Sequence, residues 1–161
     1  MAADRKHAYW DACVFIHAFQ KTAAHYSTII ELEKLAKAGE WYIFGSTLII
    51  AEVVKPNHAI TDSQARSISN YFRNNRYIKI VPVDRKIAQN AAEIVRNHGL
   101  KPADAIHIAT AIRTKCEVFY TYDGDGNSQG LLQKDGKIGV PALPIKRPGE
   151  WGQMTIGMNP S

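Results

Sequence analysis

The sequence predicts an α/β fold, a three-layer α/β/α sandwich around a mostly parallel sheet of about five strands. Two observations carry that expectation. Short runs rich in β-branched and aromatic residues, such as Trp41-Tyr42-Ile43-Phe44, alternate with longer amphipathic stretches, such as 24–38. That order favours parallel strands joined by helical crossovers. A chain of 161 residues is also long enough to close one domain around a substantial core.

Each element has a local reason. His7-Ala8-Tyr9-Trp10 reads as the first strand, and the apolar run after Asp11 as a helix. Ile29, Ile30, Leu32, Leu35 and Ala36 stripe the next helix, and Gly39 stops it. After the second strand, Leu48 to Val54 is apolar on nearly every side except at Glu52, which predicts a buried helix closed by Pro56. Thr61 and Gln64 have capping-box spacing and open a helix to about Phe72. Residues 77–83 form a third strand, and Asp84 caps a helix whose Ile87, Ala88, Ala91, Ile94 and Val95 make a clean stripe up to Gly99. Pro102 suits the first turn of the following helix, with Ala105, Ile108, Ala109 and Ile112 as its buried face. Residues 117–121 give a fourth strand. Val140 to Ile145 gives a fifth, which Pro141 and Pro144 confine to an edge. The domain is expected over 1–148, with 149–161 as a loosely held arm.

Composition narrows the function. No apolar run is long enough to span a membrane, and the first residues lack a secretory core, so a cytoplasmic protein is expected. Cys13 and Cys116 stand alone, without metal-type spacing. His17, four residues beyond Cys13, lacks the further ligands that zinc needs. Net charge is +5, and Arg66, Arg73, Arg76, Lys79, Arg85 and Lys86 concentrate in one stretch, an expected contact for a polyanion such as RNA.

Most of the 15 acids have ordinary explanations: Glu31, Glu33 and Glu40 on a solvated helix face or its end, Asp62 and Asp84 at helix starts. Four resist this. Asp11 ends the first strand, Glu52 is embedded among apolar residues, Asp104 opens its helix, and Asp123 follows the fourth strand. Glu52 needs a partner, either a basic side chain or a cation, because an unpaired buried carboxylate is costly. In parallel sheets ligands bind outside the carboxyl ends of the strands. Acids that converge there repel one another unless a positive charge sits among them, and Mg²⁺ or Mn²⁺ is the natural solution. Taken singly each acid favours a cap or an ion pair; the four together favour the cation.

The order of motifs resembles the PIN domain, and within it the VapC-type toxin ribonucleases. The matching pieces are Tyr9-Trp10-Asp11-Ala12-Cys13-Val14-Phe15-Ile16, Ser46-Thr47-Leu48-Ile49-Ile50-Ala51-Glu52-Val53, Leu100-Lys101-Pro102-Ala103-Asp104-Ala105-Ile106-His107-Ile108-Ala109, and Phe119-Tyr120-Thr121-Tyr122-Asp123. The resemblance implies an endoribonuclease whose Asp11, Glu52, Asp104 and Asp123 hold Mg²⁺ or Mn²⁺. It also implies a homodimer and a cognate antitoxin. Thr121 matches an accessory hydroxyl. Ala12 and Cys13 depart from the pattern, standing where many relatives carry a hydroxyl or amide. Asp125 reads as a turn residue with metal ligation as the alternative, and His107 as a packed or surface histidine with a proton-shuttle alternative. A different class of function, an RNA-binding or partner-binding module with little catalysis, is the competing expectation. Neither a P-loop nor the Asp-x-Asp of a phosphatase after strand one is present.

Overall fold

The structure is a computed structural model that describes residues 4–54 and 60–152. Its element order is β1 (Lys6–Trp10), α1 (Ala12–Gln20), α2 (Tyr26–Lys37), β2 (Trp41–Ser46), α3 (Leu48–Glu52), α4 (Asp62–Asn74), β3 (Ile78–Val81), α5 (Arg85–His98), α6 (Pro102–Arg113), β4 (Val118–Tyr120) and β5 (Ile145–Lys146), with a 3-10 turn at Leu131–Lys134 before β5. The five strands make one sheet in the order β3-β2-β1-β4-β5, and every pair is parallel. All carboxyl ends therefore point the same way, and the loops that follow β1 and β4 are neighbours.

Strand β1 lies at the centre and its alternation divides the core. Successive side chains of a strand face opposite sides. Tyr9 faces α6, meeting His107, while Trp10 faces α1, its ring 5.2 Å from that of Phe15. Phe15 then meets Phe72 of α4. One layer thus holds α1 and α4, with α2 packed on α1; the other holds α6, with α5 packed on it. The local signals for these helices are met. Thr61 and Gln64 form a reciprocal capping box, Asp84 accepts the Ile87 N–H at 2.9 Å, Pro102 sits in the first turn of α6, and Gly99 ends α5 at a φ of 66°.

Three expectations are corrected. The helix buried on almost all sides is α6 rather than α3. His107, Ile108, Ala109, Thr110 and Ala111 are all buried because α6 lies between the sheet and α5, although Ile112 is exposed. Helix α3 is one-sided: Ile49 and Val53 pack inward and Ile50 and Val54 face outward. Its expected stop at Pro56 falls outside the described residues. Glu33 is buried, not solvated, because the hydroxyls of Tyr71 and Tyr77 reach it from α4 and from the residue before β3. The fifth strand is only Ile145–Lys146, leaving both prolines outside the strand, although the Pro144 carbonyl still accepts the Phe119 N–H. Of the arm expected from residue 149, Trp151 packs against the core and residues 153–161 are outside the described set. No helix among the described residues is long and apolar enough to cross a membrane.

Candidate active site

Asp11 sits where β1 becomes α1, so one residue ends the strand, caps the helix and faces the carboxyl edge of the sheet. Its Oδ1 accepts the Ala12 N–H at 2.9 Å and its Oδ2 accepts the Thr121 hydroxyl at 2.9 Å. Thr121 follows β4 directly. Its hydroxyl oxygen also accepts the Asp123 N–H at 3.0 Å and so ties the two strand-end aspartates together. Asp123 Oδ2 accepts the Leu131 N–H at 2.9 Å, which fixes that carboxylate against the 3-10 turn. The Cys13 thiol lies 3.8 Å from Asp11 Oδ2, and burial pushes its pKa up to about 12. It is a protonated neighbour rather than an anionic ligand.

Glu52 finds a basic side chain. His107 Nε2 lies 2.5 Å from Glu52 Oε1 and 4.0 Å from Asp11 Oδ1. On the other side of the ring, Nδ1 is 2.6 Å from the Tyr9 hydroxyl, which accepts the Ser46 N–H at 2.9 Å. On a neutral ring whose hydrogen is on Nε2 the phenol donates to Nδ1, and on a charged ring Nδ1–H donates to the phenol oxygen, which has room for a second donor. Nε2 carries a hydrogen in both, so Glu52 faces an N–H donor in either state. Tyr9 and Ser46 were not among the sequence-derived candidates. The available signal was a tyrosine inside a buried strand, whose hydroxyl must find a partner.

The electrostatics bind these acids into one group. Burial raises the pKa of Asp104, and the charges of Asp11 and Asp123 raise it further, against the pull of His107 and Lys101. Burial also raises Asp11, opposed by His107 and by its Thr121 and Ala12 hydrogen bonds. For His107 burial works downward, but Glu52, Asp11 and Asp104 outweigh it and the pKa is raised. An acidic cluster whose one buried basic group is a histidine is short of positive charge. Its donors are carboxylate oxygens, the set that suits a hard dication. Among the described residues no three histidine, cysteine or acidic side chains form a ready-made metal cage. Mg²⁺ does not require one, since it keeps several waters and is held by one or two carboxylates together with substrate phosphate. The donor chemistry therefore fits the ion, with one Glu52 oxygen already on His107.

Asp104 and Asp123 open onto a cavity of about 440 Å³, also lined by Lys101, Ser128, Gln129, Gln133 and Lys134. None of the six basic residues expected to hold RNA lines it. Arg66 and Arg73 are on α4, Arg76 follows that helix, and Lys79 lies on the edge strand β3 with its ammonium 4.8 Å from the centre of the Tyr42 ring. Arg85 and Lys86 open α5. Asp125 stands in the turn, its backbone N–H on the Tyr122 carbonyl and its carboxylate 3.2 Å from Arg147. The lysines of the cavity were missed because they lie 33 residues apart in sequence and carry no local pattern.

A sequence profile of the PIN domain matches residues 8–128. No curated protein sequence matches the chain. Three solved structures resemble its fold. VapC20 of Mycobacterium tuberculosis, described as a sarcin-ricin loop cleaving toxin, superposes with a TM-score of 0.59 at 16% identity, covering 73% of this chain and 91% of that one. VapBC2 of Rickettsia felis, bound to a DNA fragment from its promoter, gives 0.61 at 18% identity, with 88% and 98% covered. A toxin–antitoxin complex from Klebsiella pneumoniae gives 0.54 at 21% identity, with 73% and 88% covered.

Proposed function

The chain belongs to the PIN domain family, and on that footing we propose that it is a metal-dependent endoribonuclease, the toxin of a toxin–antitoxin pair. Asp11, Asp104 and Asp123 would hold Mg²⁺ or Mn²⁺, with Glu52 as a fourth carboxylate. A dication held there would supply positive charge to an RNA phosphodiester and would lower the pKa of an attacking water. The chain's own residues set the geometry. Thr121 and the Ala12 N–H orient Asp11, and Thr121 and the Leu131 N–H orient Asp123. The first turn of α6 helps keep Asp104 ionised, since a helix start favours negative charge. His107 Nε2–H fixes Glu52. The accessory positions divide: Thr121 and His107 serve the carboxylates, and Asp125 serves its turn and Arg147.

The observation that carries this reading is the placement of three acids at one edge of the sheet: Asp11 and Asp123 follow the adjacent strands β1 and β4, and Asp104, in the first turn of α6, lies within reach of both their charges. Cleavage of a panel of RNAs with and without chelator tests it. Cleavage that needs Mg²⁺ or Mn²⁺ and disappears in Asp104→Asn is the expected result; chelator-resistant cleavage, or none by the wild type, defeats it. The Glu52–His107 pair favours a second reading, a catalytically weak RNA-binding or partner-binding module, because it takes one carboxylate out of the set. Calorimetric titration with Mn²⁺ separates the two, since the module has no use for the ion. Cytoplasmic location, homodimerisation and a cognate antitoxin belong to this proposal. The solved neighbours that are toxin–antitoxin assemblies support the antitoxin.

A further inference from the structure

The cavity beside Asp104 and Asp123 has a second, basic and polar wall. Lys101 caps α6, Lys134 ends the 3-10 turn, and Ser128 and Gln129 come from the loop between β4 and that turn. Lys101 is exposed and Lys134 half-buried, and among the described residues neither joins an ion pair. The wall is rigidly built. Asp123 holds the Leu131 N–H through Oδ2 and the Leu132 N–H through its carbonyl, and the Gln133 amide donates to the Asn127 carbonyl at 3.0 Å. Gly130 has a φ of 137°, and a Cβ there would lie 2.5 Å from Gly124 Cα, so two stretches of loop touch through bare glycine backbone. The cations are thus presented on a fixed frame.

Two cations, two amides and a hydroxyl, facing the carboxylates of Asp104 and Asp123 across about 440 Å³, have a particular chemistry. The volume is that of a pocket for a single small ligand, roughly 300–1,000 Å³, and is too small for a duplex. Lysines suit phosphate, while amide and hydroxyl groups suit the hydrogen-bonding edge of an unpaired base. We propose that this cavity is a subsite for one nucleotide of single-stranded RNA, adjoining the site of cleavage. Lys101 and Lys134 hold the flanking phosphates, and Ser128 and Gln129 hydrogen-bond the base. The identity of the ligand rests on the ribonuclease reading; the placement of the lysines does not. The primary RNA contact is thereby moved from the 66–86 stretch to the cavity, since none of the basic residues of that stretch lines it.

Fluorescence anisotropy of the full chain with a labelled eight-nucleotide single-stranded RNA, in Ca²⁺ over a series of salt concentrations, tests this. In Lys101→Ala/Lys134→Ala the affinity falls several-fold and the log–log salt slope shrinks by about 1.4, or ~0.7 for each single-strand phosphate that is no longer neutralised. In Ser128→Ala/Gln129→Ala the order of affinity for the four homopolymer octamers changes. The proposal is overturned if the lysine pair leaves affinity and slope intact while Arg66→Ala/Arg73→Ala lowers them. It is equally overturned if duplex RNA binds as tightly as the single strand with the same lysine dependence, or if the homopolymer order stays the same. Lysine-dependent, base-ranked binding without cleavage in Mn²⁺ or Mg²⁺ would keep the subsite and defeat the ribonuclease reading.

Discussion

Glu52 and His107 meet across 55 positions of sequence, and the contact depends on a chain of buried donors. The Ser46 N–H supports the Tyr9 hydroxyl, which supports His107 Nδ1, and Nε2 then faces the carboxylate. Tyr9→Phe keeps the ring that stacks on Phe119 and removes only the hydroxyl. It leaves the buried Ser46 N–H unpaired, at a cost of ~1–3 kcal/mol. Urea unfolding should show that loss, and Mn²⁺ affinity should fall with it as Glu52 loses its fixed donor. Unchanged stability in Tyr9→Phe would mean that water replaces the hydroxyl and the relay is dispensable.

Asp104 offers a pH test at the same scale. Its pKa in the fold lies above the ordinary carboxylate value, first through burial and then through Asp11 and Asp123. The folded protein therefore binds the proton more tightly than the unfolded chain. Ionised Asp104 opposes folding at neutral pH, and that opposition is relieved as pH falls through its folded value. Without metal, Asp104→Asn should melt at or above the wild-type temperature at pH 7, with the difference shrinking toward pH 4. With Mn²⁺ the order should reverse. A variant that melts lower by the same amount with and without Mn²⁺ would reduce Asp104 to a helix-start residue.

Among the elements, α2 is clasped by a buried acid. Glu33 accepts the Tyr77 hydroxyl at 2.8 Å and the Tyr71 hydroxyl at 3.1 Å, and Lys37 pairs with it from 3.1 Å. Burial and the Glu33 charge raise both phenols. Glu33→Leu should cost about 2–3 kcal/mol in chemical denaturation, because hydrogen bonds to a charged acceptor are worth ~1.5–3 kcal/mol each and two hydroxyls are left behind. Glu33→Gln should lose less, as it retains an acceptor. The helix sequence alone places Glu33 among Glu31, Lys34 and Lys37, so its burial is not legible there; the tyrosines that cover it are 38 and 44 residues away. Helix α3 illustrates the reverse error. Its apolar run suggests complete burial, but a helix of five residues on β2 can hide only one face, which leaves Ile50, and Val54 just beyond the helix, outside.

Across the whole molecule, the parallel sheet gathers the candidate site. With β1 central and β4 beside it, Asp11 and Asp123 follow adjacent strand ends. Helix α6 crosses the face that Tyr9 presents and brings Asp104 and His107 in together. If this edge binds a dication, metal should stabilise the entire fold by mass action: at a concentration 100 times its dissociation constant, by ~2.7 kcal/mol. A melting temperature that rises with Mn²⁺ in the wild type and much less in Asp104→Asn or Asp123→Asn is the expected result. Equal rises in all three would place the ion elsewhere.

The alternation of strands and helices, their caps and their stops can be read from amino-acid order, because periodicity and capping act within a few residues. Thr61 with Gln64, Asp84, Gly99 and Pro102 all behave as local chemistry requires. The four acids are also visible, since each interrupts a local pattern. Their partners are not. Whether Glu52 meets a lysine, a cation or His107 depends on which face of β1 receives α6. Whether Lys134 comes to lie across a cavity from Asp104 depends on where the loop after β4 folds back. Those choices are made by packing between residues tens of positions apart, where a one-residue change of register would turn Tyr9 away from His107 and leave Glu52 without its donor.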